Sequence, residues 1–206
     1  MDRFSVECEA YATKVDELVV DKKYEELKTY ISLIEEYAEK HDAPEYAPIF
    51  YYLGTAKGVL ADQQLRNNNS RIDREYLKLR KESFYYFRKS IEMIESIDEN
   101  HPLLLLVYTN YANGLDTCGR VIEAIRIYRK AINISGNFGM AYGNYGRALK
   151  FYANIVNDPG HHNELHFFAY QAIQHSLDIK DSNMHEEAIV CFEKIIKEYE
   201  NVLPKE

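Results

Sequence analysis

Apolar residues recur every three or four positions along almost the entire chain, which is the spacing of amphipathic α-helices. In the second predicted helix, for example, Leu27, Ile31 and Ile34 fall on one face, among glutamates and lysines expected to face solvent. No stretch has the alternation of a convincing β-strand. The pattern predicts about nine helices, at residues 4–20, 22–41, 48–66, 72–97, 102–117, 121–135, 138–155, 163–179 and 184–201.

Helix-breaking residues separate these segments. Pro44 follows the second helix, while Pro48 and Pro102 stand where a helix can begin, because proline is tolerated in the first helical turn. The stretch 157–160 has the sequence Asn-Asp-Pro-Gly, which predicts a break before the eighth helix. Because every predicted segment is a helix, the sequence predicts an all-α protein.

Composition supports a folded helical chain. The 206 residues include only 9 Gly and 5 Pro, which disfavours both a turn-rich β protein and disorder. The chain has 18 Tyr, 9 Phe and no Trp. Because tyrosine has an apolar ring and a polar tip, it suits the seams between helices and the walls of a half-wet groove.

Charge and cysteine spacing limit which partners the protein can bind and in which cellular compartment we expect it. With 25 Lys and Arg against 33 Asp and Glu, the net charge is −8, so the positive field needed for non-specific nucleic-acid binding is missing. The three cysteines, Cys8, Cys118 and Cys191, lack metal-ligand spacing. No signal-peptide layout is present, and the longest apolar run, 103–107, is too short to cross a membrane. We expect a cytoplasmic protein without a membrane partner.

An internal repeat appears with a period of 34 residues. Tyr108 matches Tyr142, and Asn110 matches Asn144. Two further matches pair Tyr111 with Tyr145 and Leu115 with Leu149. The helix that follows the first copy carries a small residue, an aromatic residue and a small residue, at Ala124, Tyr128 and Ala131; the same order recurs at Ser83, Phe87 and Ser90.

These residues resemble the tetratricopeptide repeat (TPR), most closely in the stretch 105–138. Related stretches are 47–97 and 139–180, which need about seventeen and eleven extra residues between their helices. The resemblance implies a right-handed solenoid of antiparallel helix hairpins. A single domain would cover 1–206, with an N-terminal hairpin at 1–44, three TPR-like hairpins at 45–180 and a capping helix at 184–201. An irregular helical bundle with the same small-to-aromatic packing is the alternative.

The resemblance also implies a binding surface, since TPR arrays take peptide ligands in a concave groove lined by the first helix of each hairpin. The corresponding groove positions, expected to be exposed, are Tyr51, Tyr52, Thr55, Thr109, Asn110, Asn113, Asn144, Arg147 and Lys150. Asparagine amides can bind a peptide backbone, and arginine can bind a carboxylate. Asn113 and Asn144 match asparagines of the carboxylate-clamp modules, but Thr109 stands where those clamps carry lysine. A protein-interaction scaffold, rather than an enzyme, is the leading hypothesis.

Histidines form a weaker candidate site. His162 and His166 would share one helical face if residues 162–166 were helical, and two such side chains are a potential metal pair. A polar loop leading into a helix is the simpler interpretation. No glycine-rich phosphate loop follows a strand, so neither a nucleotide nor another cofactor is predicted.

Two further functions remain open. The chain weakly resembles the helical N-terminal part of bacterial proteins with a HEPN (ribonuclease-like) domain, which implies a regulatory or sensor part of a ribonuclease or toxin-like system; that family's arginine–histidine motif is not convincingly present. RNA binding is the third hypothesis, and its basis is a run of basic residues at Arg71, Arg74, Lys78, Arg80, Lys81, Arg88 and Lys89.

The last predicted helix could cap the array or pair with another copy of the chain in a homo-oligomer.

Overall fold

The structure, a computed structural model, describes residues 6–179 and 184–202, and the side chains of 8–179 and 184–201. Over these residues the chain forms nine α-helices packed in sequential pairs, and the all-α prediction is confirmed. The helices are α1 (Val6–Val20), α2 (Tyr24–Glu39), α3 (Ala47–Asn67), α4 (Arg74–Glu95), α5 (Pro102–Thr117), α6 (Val121–Ile134), α7 (Gly139–Ala153), α8 (Pro159–Asp178) and α9 (Glu186–Val202). A short 3-10 helix, Pro44–Tyr46, precedes α3. The predicted first residue of α1, Phe4, and residue 180 at the end of the third hairpin lie outside the described residues.

The largest difference from the predicted bounds concerns α8, which begins at Pro159 and not near residue 163. Asp158 caps this helix, because its side chain accepts a hydrogen bond from the backbone N–H of His161 at 2.7 Å. Proline then occupies the first helical turn, where its missing N–H costs nothing. The Asp-Pro-Gly stretch is therefore the start of a helix, and His161, His162 and His166 are all helical.

The chain divides into two compact units, residues 1–111 and 112–206. Helix α5 spans the division, with 102–111 in the first unit and 112–117 in the second. In the first unit, Val15, Leu27, Ile34 and Leu53 are among the most completely buried side chains. In the second unit, the core is built from α7, α8 and α9, and contains Leu149, Ala153, Leu165, Ala169, Ile173, Phe192, Ile195, Ile196 and Tyr199.

In the first unit, α3 and α4 approach so closely that only a small residue fits between them. A methyl group on Gly54 would lie 2.7 Å from Cδ1 of Phe87. Two buried serines of α4 fix the register of the pair, because Ser83 donates to the carbonyl of Gly54 at 2.7 Å and Ser90 donates to that of Ala47 at 2.9 Å. Each bond satisfies a hydroxyl that burial would otherwise leave without a partner.

In the second unit, α7 and α8 repeat this arrangement. A methyl group on Gly146 would lie 2.5 Å from Cγ1 of Ile173 and 2.8 Å from the carbonyl oxygen of Ala169. Ser176 of α8 donates to the carbonyl of Gly139 at 2.7 Å. A small residue of one helix therefore contacts a large residue of the next at Gly54–Phe87 and at Gly146–Ile173.

A buried ion cluster joins α2 to the α3–α4 pair. The ammonium of Lys57 lies 2.8 Å from a carboxylate oxygen of Glu35 and 2.8 Å from one of Glu82. Tyr86 donates its hydroxyl to Glu35 at 2.8 Å. Because Lys57 is only 9% exposed, removal of both carboxylates would leave its ammonium poorly solvated and unpaired. This cluster holds three helices of the first unit together.

Among the helices that the structure describes, none combines the length and apolar character needed to cross a membrane.

The glycine at the α7–α8 contact provides a test of the packing. We expect Gly146→Ala to destabilise the protein by about 1–3 kcal/mol, because the added methyl overlaps the backbone carbonyl of Ala169, which cannot move independently of α8. Thermal and urea unfolding followed by circular dichroism would measure the loss. Gly160→Ala is the matched control: it makes the same change in a helix, but its methyl would meet only the flexible carboxylate of Asp158 at 3.4 Å. Equal stability of Gly146→Ala and the wild type would contradict the packing.

Candidate functional site

The predicted groove residues fall into two groups, one in each unit. Tyr51, Thr55, Thr109 and Asn110 belong to the first unit. Asn113, Asn144, Arg147 and Lys150 belong to the second. Tyr51, Thr109 and Asn144 are buried, so the prediction that they are exposed is wrong for these three.

In the first unit, a hydrogen bond joins two of the groove candidates. The hydroxyl of Tyr51 accepts a hydrogen bond from Nδ2 of Asn110 at 3.0 Å, which connects α3 to α5. Burial raises the pKa of the Tyr51 phenol, and this outweighs the opposing effect of the hydrogen bond from Asn110. The Thr55 hydroxyl is buried and has no hydrogen-bond partner among the described residues. Thr109 donates its hydroxyl to the carbonyl of Leu105, one turn earlier in the same helix, at 2.7 Å. This group is mainly a support for the packing of α3.

In the second unit, Asn113 is the centre of a polar junction. Its Oδ1 accepts from the hydroxyl of Tyr128 at 2.6 Å and from Nδ2 of Asn144 at 3.0 Å. Tyr128 is fully buried and Asn144 is 7% exposed, so both donors depend on this single acceptor. One asparagine therefore joins α6 and α7 to the end of α5.

Arg147 and Asp116 form the next contact along the same face. Nη2 of Arg147 lies 2.9 Å from Oδ2 of Asp116. The side chain of Asp116 is 16% exposed and that of Arg147 is 45% exposed. Burial raises the pKa of Asp116, and the guanidinium only partly opposes this effect. The guanidinium is thus held at one edge and remains accessible to solvent.

Lys150 makes the third contact, an ion pair with Glu198 of α9. This pair lowers the pKa of Glu198. The ammonium of Lys150 also lies 5.5 Å from the centre of the Tyr199 ring, within range of a cation–π interaction.

Asn144, Arg147 and Lys150 are three residues apart on α7 and therefore share one side of that helix. Together with Asn113 and Asp116 of α5 they form what we call the α7 polar face. Arg147 is exposed and Asn113 and Lys150 are partly exposed, so this face can offer amide and cationic hydrogen bonds to a ligand.

Sequence reasoning missed Asp116 and Glu198. Asp116 had a signal, because it is three residues after Asn113 and therefore lies on the same helical side. Glu198 had none, since it is 48 residues away from Lys150 in sequence and lies on a different helix.

The histidine pair lies on α8. Nδ1 of His162 lies 2.9 Å from the carbonyl oxygen of Ala153, and Nδ1 of His166 lies 2.8 Å from the hydroxyl of Tyr199. The two rings are 4.4 Å apart and nearly perpendicular. Among the described residues, no group of three or more His, Cys, Asp or Glu side chains is placed to hold a metal ion.

No protein-family model matches this chain, and a search of curated proteins finds no significant match. The resemblances to TPR proteins and to HEPN-associated helical segments therefore stay predictions made from the residues themselves.

The hydrogen bonds at Asn113 predict that its substitution will strongly destabilise the protein. We expect Asn113→Ala to cost about 2–3 kcal/mol, because the hydroxyl of Tyr128 and the amide of Asn144 would both lose their acceptor in a buried place. Urea unfolding would measure the change. Thr117→Ala removes an exposed polar group from the same helix and should cost much less. Adding Tyr128→Phe to Asn113→Ala should recover part of the loss; strictly additive effects would contradict the junction.

The environment of His166 predicts that its pKa is lower than that of an ordinary histidine. Burial lowers the pKa of His166 from 6.5, and the positive charges of His162 and Lys150 lower it further. The unfolded chain therefore binds this proton more readily, so stability falls as the pH drops below about 6.5. NMR titration of the ring should give a pKa below 6.5, and Lys150→Met should raise it. A wild-type pKa at or above 6.5 would contradict the described geometry.

Proposed function

We propose that this chain is a TPR-like solenoid of helix hairpins that acts as a protein-interaction scaffold, and that it binds an extended segment of a partner on the α7 polar face. The observation that carries the proposal is the line of Asn144, Arg147 and Lys150 along α7, with Asn113 and Asp116 beside it. An extended peptide presents carbonyls and N–H groups at regular intervals, which amide and guanidinium groups on a rigid helix can bind.

The repeated packing supports the TPR-like part of the proposal. Gly54 faces Phe87 in the first unit, as Gly146 faces Ile173 in the second. Seven residues before each glycine, a carbonyl accepts from a serine of the following helix, at Ala47 and at Gly139. The same interhelix register thus occurs twice, which is what a hairpin repeat requires.

The internal contacts indicate which residues of this face support the fold and which are available to a ligand. Asn113 and Asn144 are engaged with each other and with Tyr128, so they mainly hold the helices in place. Arg147 has the most accessible polar group, and its contact with Asp116 orients it without covering it. We therefore expect Arg147 and Lys150 to contribute more to partner binding than the two asparagines. A non-enzymatic role in the reducing cytoplasm, where the three free thiols are stable, fits this proposal.

The test is a selection of binding peptides from a random display library against the intact chain, followed by affinity measurements on the selected peptides. We expect Arg147→Glu with Lys150→Glu to weaken them by about tenfold or more, because both cations face the ligand. Arg126→Glu with Arg129→Glu is the matched control, since it makes the same change of charge at exposed positions of α6. Failure to select any peptide, or equal losses in the two double variants, would overturn the proposal.

A further inference from the structure

The exposed side of α4 carries a narrow line of cations. Arg74, Lys78, Lys81 and Arg88 are all exposed, and Tyr85 lies among them with 52% of its surface accessible. At 3.6 residues per turn these five side chains fall within an arc of about 80° and extend over about 21 Å. We call them the α4 basic stripe. The opposite side of α4 is buried against α3.

The four cations of the stripe have no ion-pair partner among the described residues, whereas most other described cations of this unit have one. Lys14, Lys28 and Lys40 each pair with a glutamate one turn away. Two other cations of α4 are also paired, but off the stripe: Arg80 is buried against Asp62, and Lys89 lies 2.6 Å from Asp42. These four neighbouring cations are thus unpaired on a chain whose net charge is −8.

Tyr85 lines two surface cavities beside the stripe. The first, of about 500 Å³, is lined by Pro44, Tyr85, Arg88 and Met93 together with Asp42 and Glu92. The second, of about 390 Å³, is lined by Phe50, Tyr85 and Tyr86 together with Glu35 and Glu39. The stripe therefore borders recesses that have apolar as well as charged walls, which suit single side chains of a partner.

We propose that the α4 basic stripe binds an acidic segment of a partner protein. Its carboxylates pair with the four cations, and an apolar side chain enters a cavity beside Tyr85. Residues three or four apart on an acidic helix match the spacing of the stripe. This surface lies wholly in the first unit and does not depend on the α7 polar face.

The cavities favour a protein over a nucleic acid. Glu92 lines one cavity and Glu39 lines the other, and neither has an ion-pair partner among the described residues, so uncompensated acids lie beside the stripe. A nucleic-acid backbone carries a charge at every nucleotide and would meet these acids as well as the cations. A protein segment can place carboxylates over the stripe and uncharged side chains over the acids.

The test measures the binding of labelled probes to the intact chain by fluorescence anisotropy. The main probe is a helix-forming peptide of about 18 residues with glutamates every third or fourth position on one side and leucines beside them. Its comparator has glutamine in place of every glutamate, and an oligouridine of about 15 nucleotides represents nucleic acid. We expect the acidic peptide to bind about tenfold or more tightly than the comparator at about 50 mM salt, and to weaken as salt is added.

The variant Lys78→Glu/Lys81→Glu/Arg88→Glu should reduce this affinity by about tenfold or more. Its control, Lys14→Glu/Lys28→Glu/Lys40→Glu, changes the net charge equally on exposed parts of α1 and α2 and should stay within about twofold of the wild type. Tyr85→Ala should weaken binding without changing its salt dependence. Thermal unfolding would verify that each variant is folded.

Three results would overturn the proposal: no saturable binding of the acidic peptide, equal losses in the two triple variants, or tighter binding of the oligouridine than of the peptide. The last would identify the stripe as a nucleic-acid surface.

Discussion

The close approach of neighbouring helix backbones is the constraint on which both units depend. Between α3 and α4, and again between α7 and α8, the separation leaves no room for a side chain on Gly54 or Gly146. Such an approach increases the dispersion contacts of the surrounding apolar side chains and brings a serine hydroxyl within reach of the opposing carbonyl. The remaining features, including the polar contacts on α7 and the exposed side of α4, are consequences of the register that this approach fixes.

Much of this fold could be predicted from sequence because its determinants are local. Helical periodicity predicted the nine helices that the described residues form, and the small and aromatic residues at Ser83, Phe87 and Ser90 lie on the side of α4 that is buried. The start of α8 was misplaced because proline and glycine are ambiguous signals: after an aspartate, the same pair that ends one helix can begin another.

The candidate site was harder to predict because exposure is not a local property. Tyr51, Thr109 and Asn144 have the polar groups expected of a binding groove, yet each is covered by neighbouring helices. A period of 34 residues places Asn110 and Asn144 at equivalent positions in sequence, but their partners differ: a tyrosine of α3 for one and Asn113 for the other. Which of two equivalent polar residues faces a ligand depends on contacts distant in sequence, and the ion pair of Lys150 with Glu198 is of that kind.

The position of Asn113 has a consequence for how this protein could change over evolutionary time. Its single carbonyl oxygen serves two buried donors, so substitutions there would be selected against for their effect on folding before any effect on binding could be favoured. Arg147 lies on the same face, but its substitution would affect folding less, because its partner Asp116 is partly accessible to water. Divergence of ligand preference among descendants of this protein would therefore accumulate at the rim of the face, while the asparagine at its centre stayed the same.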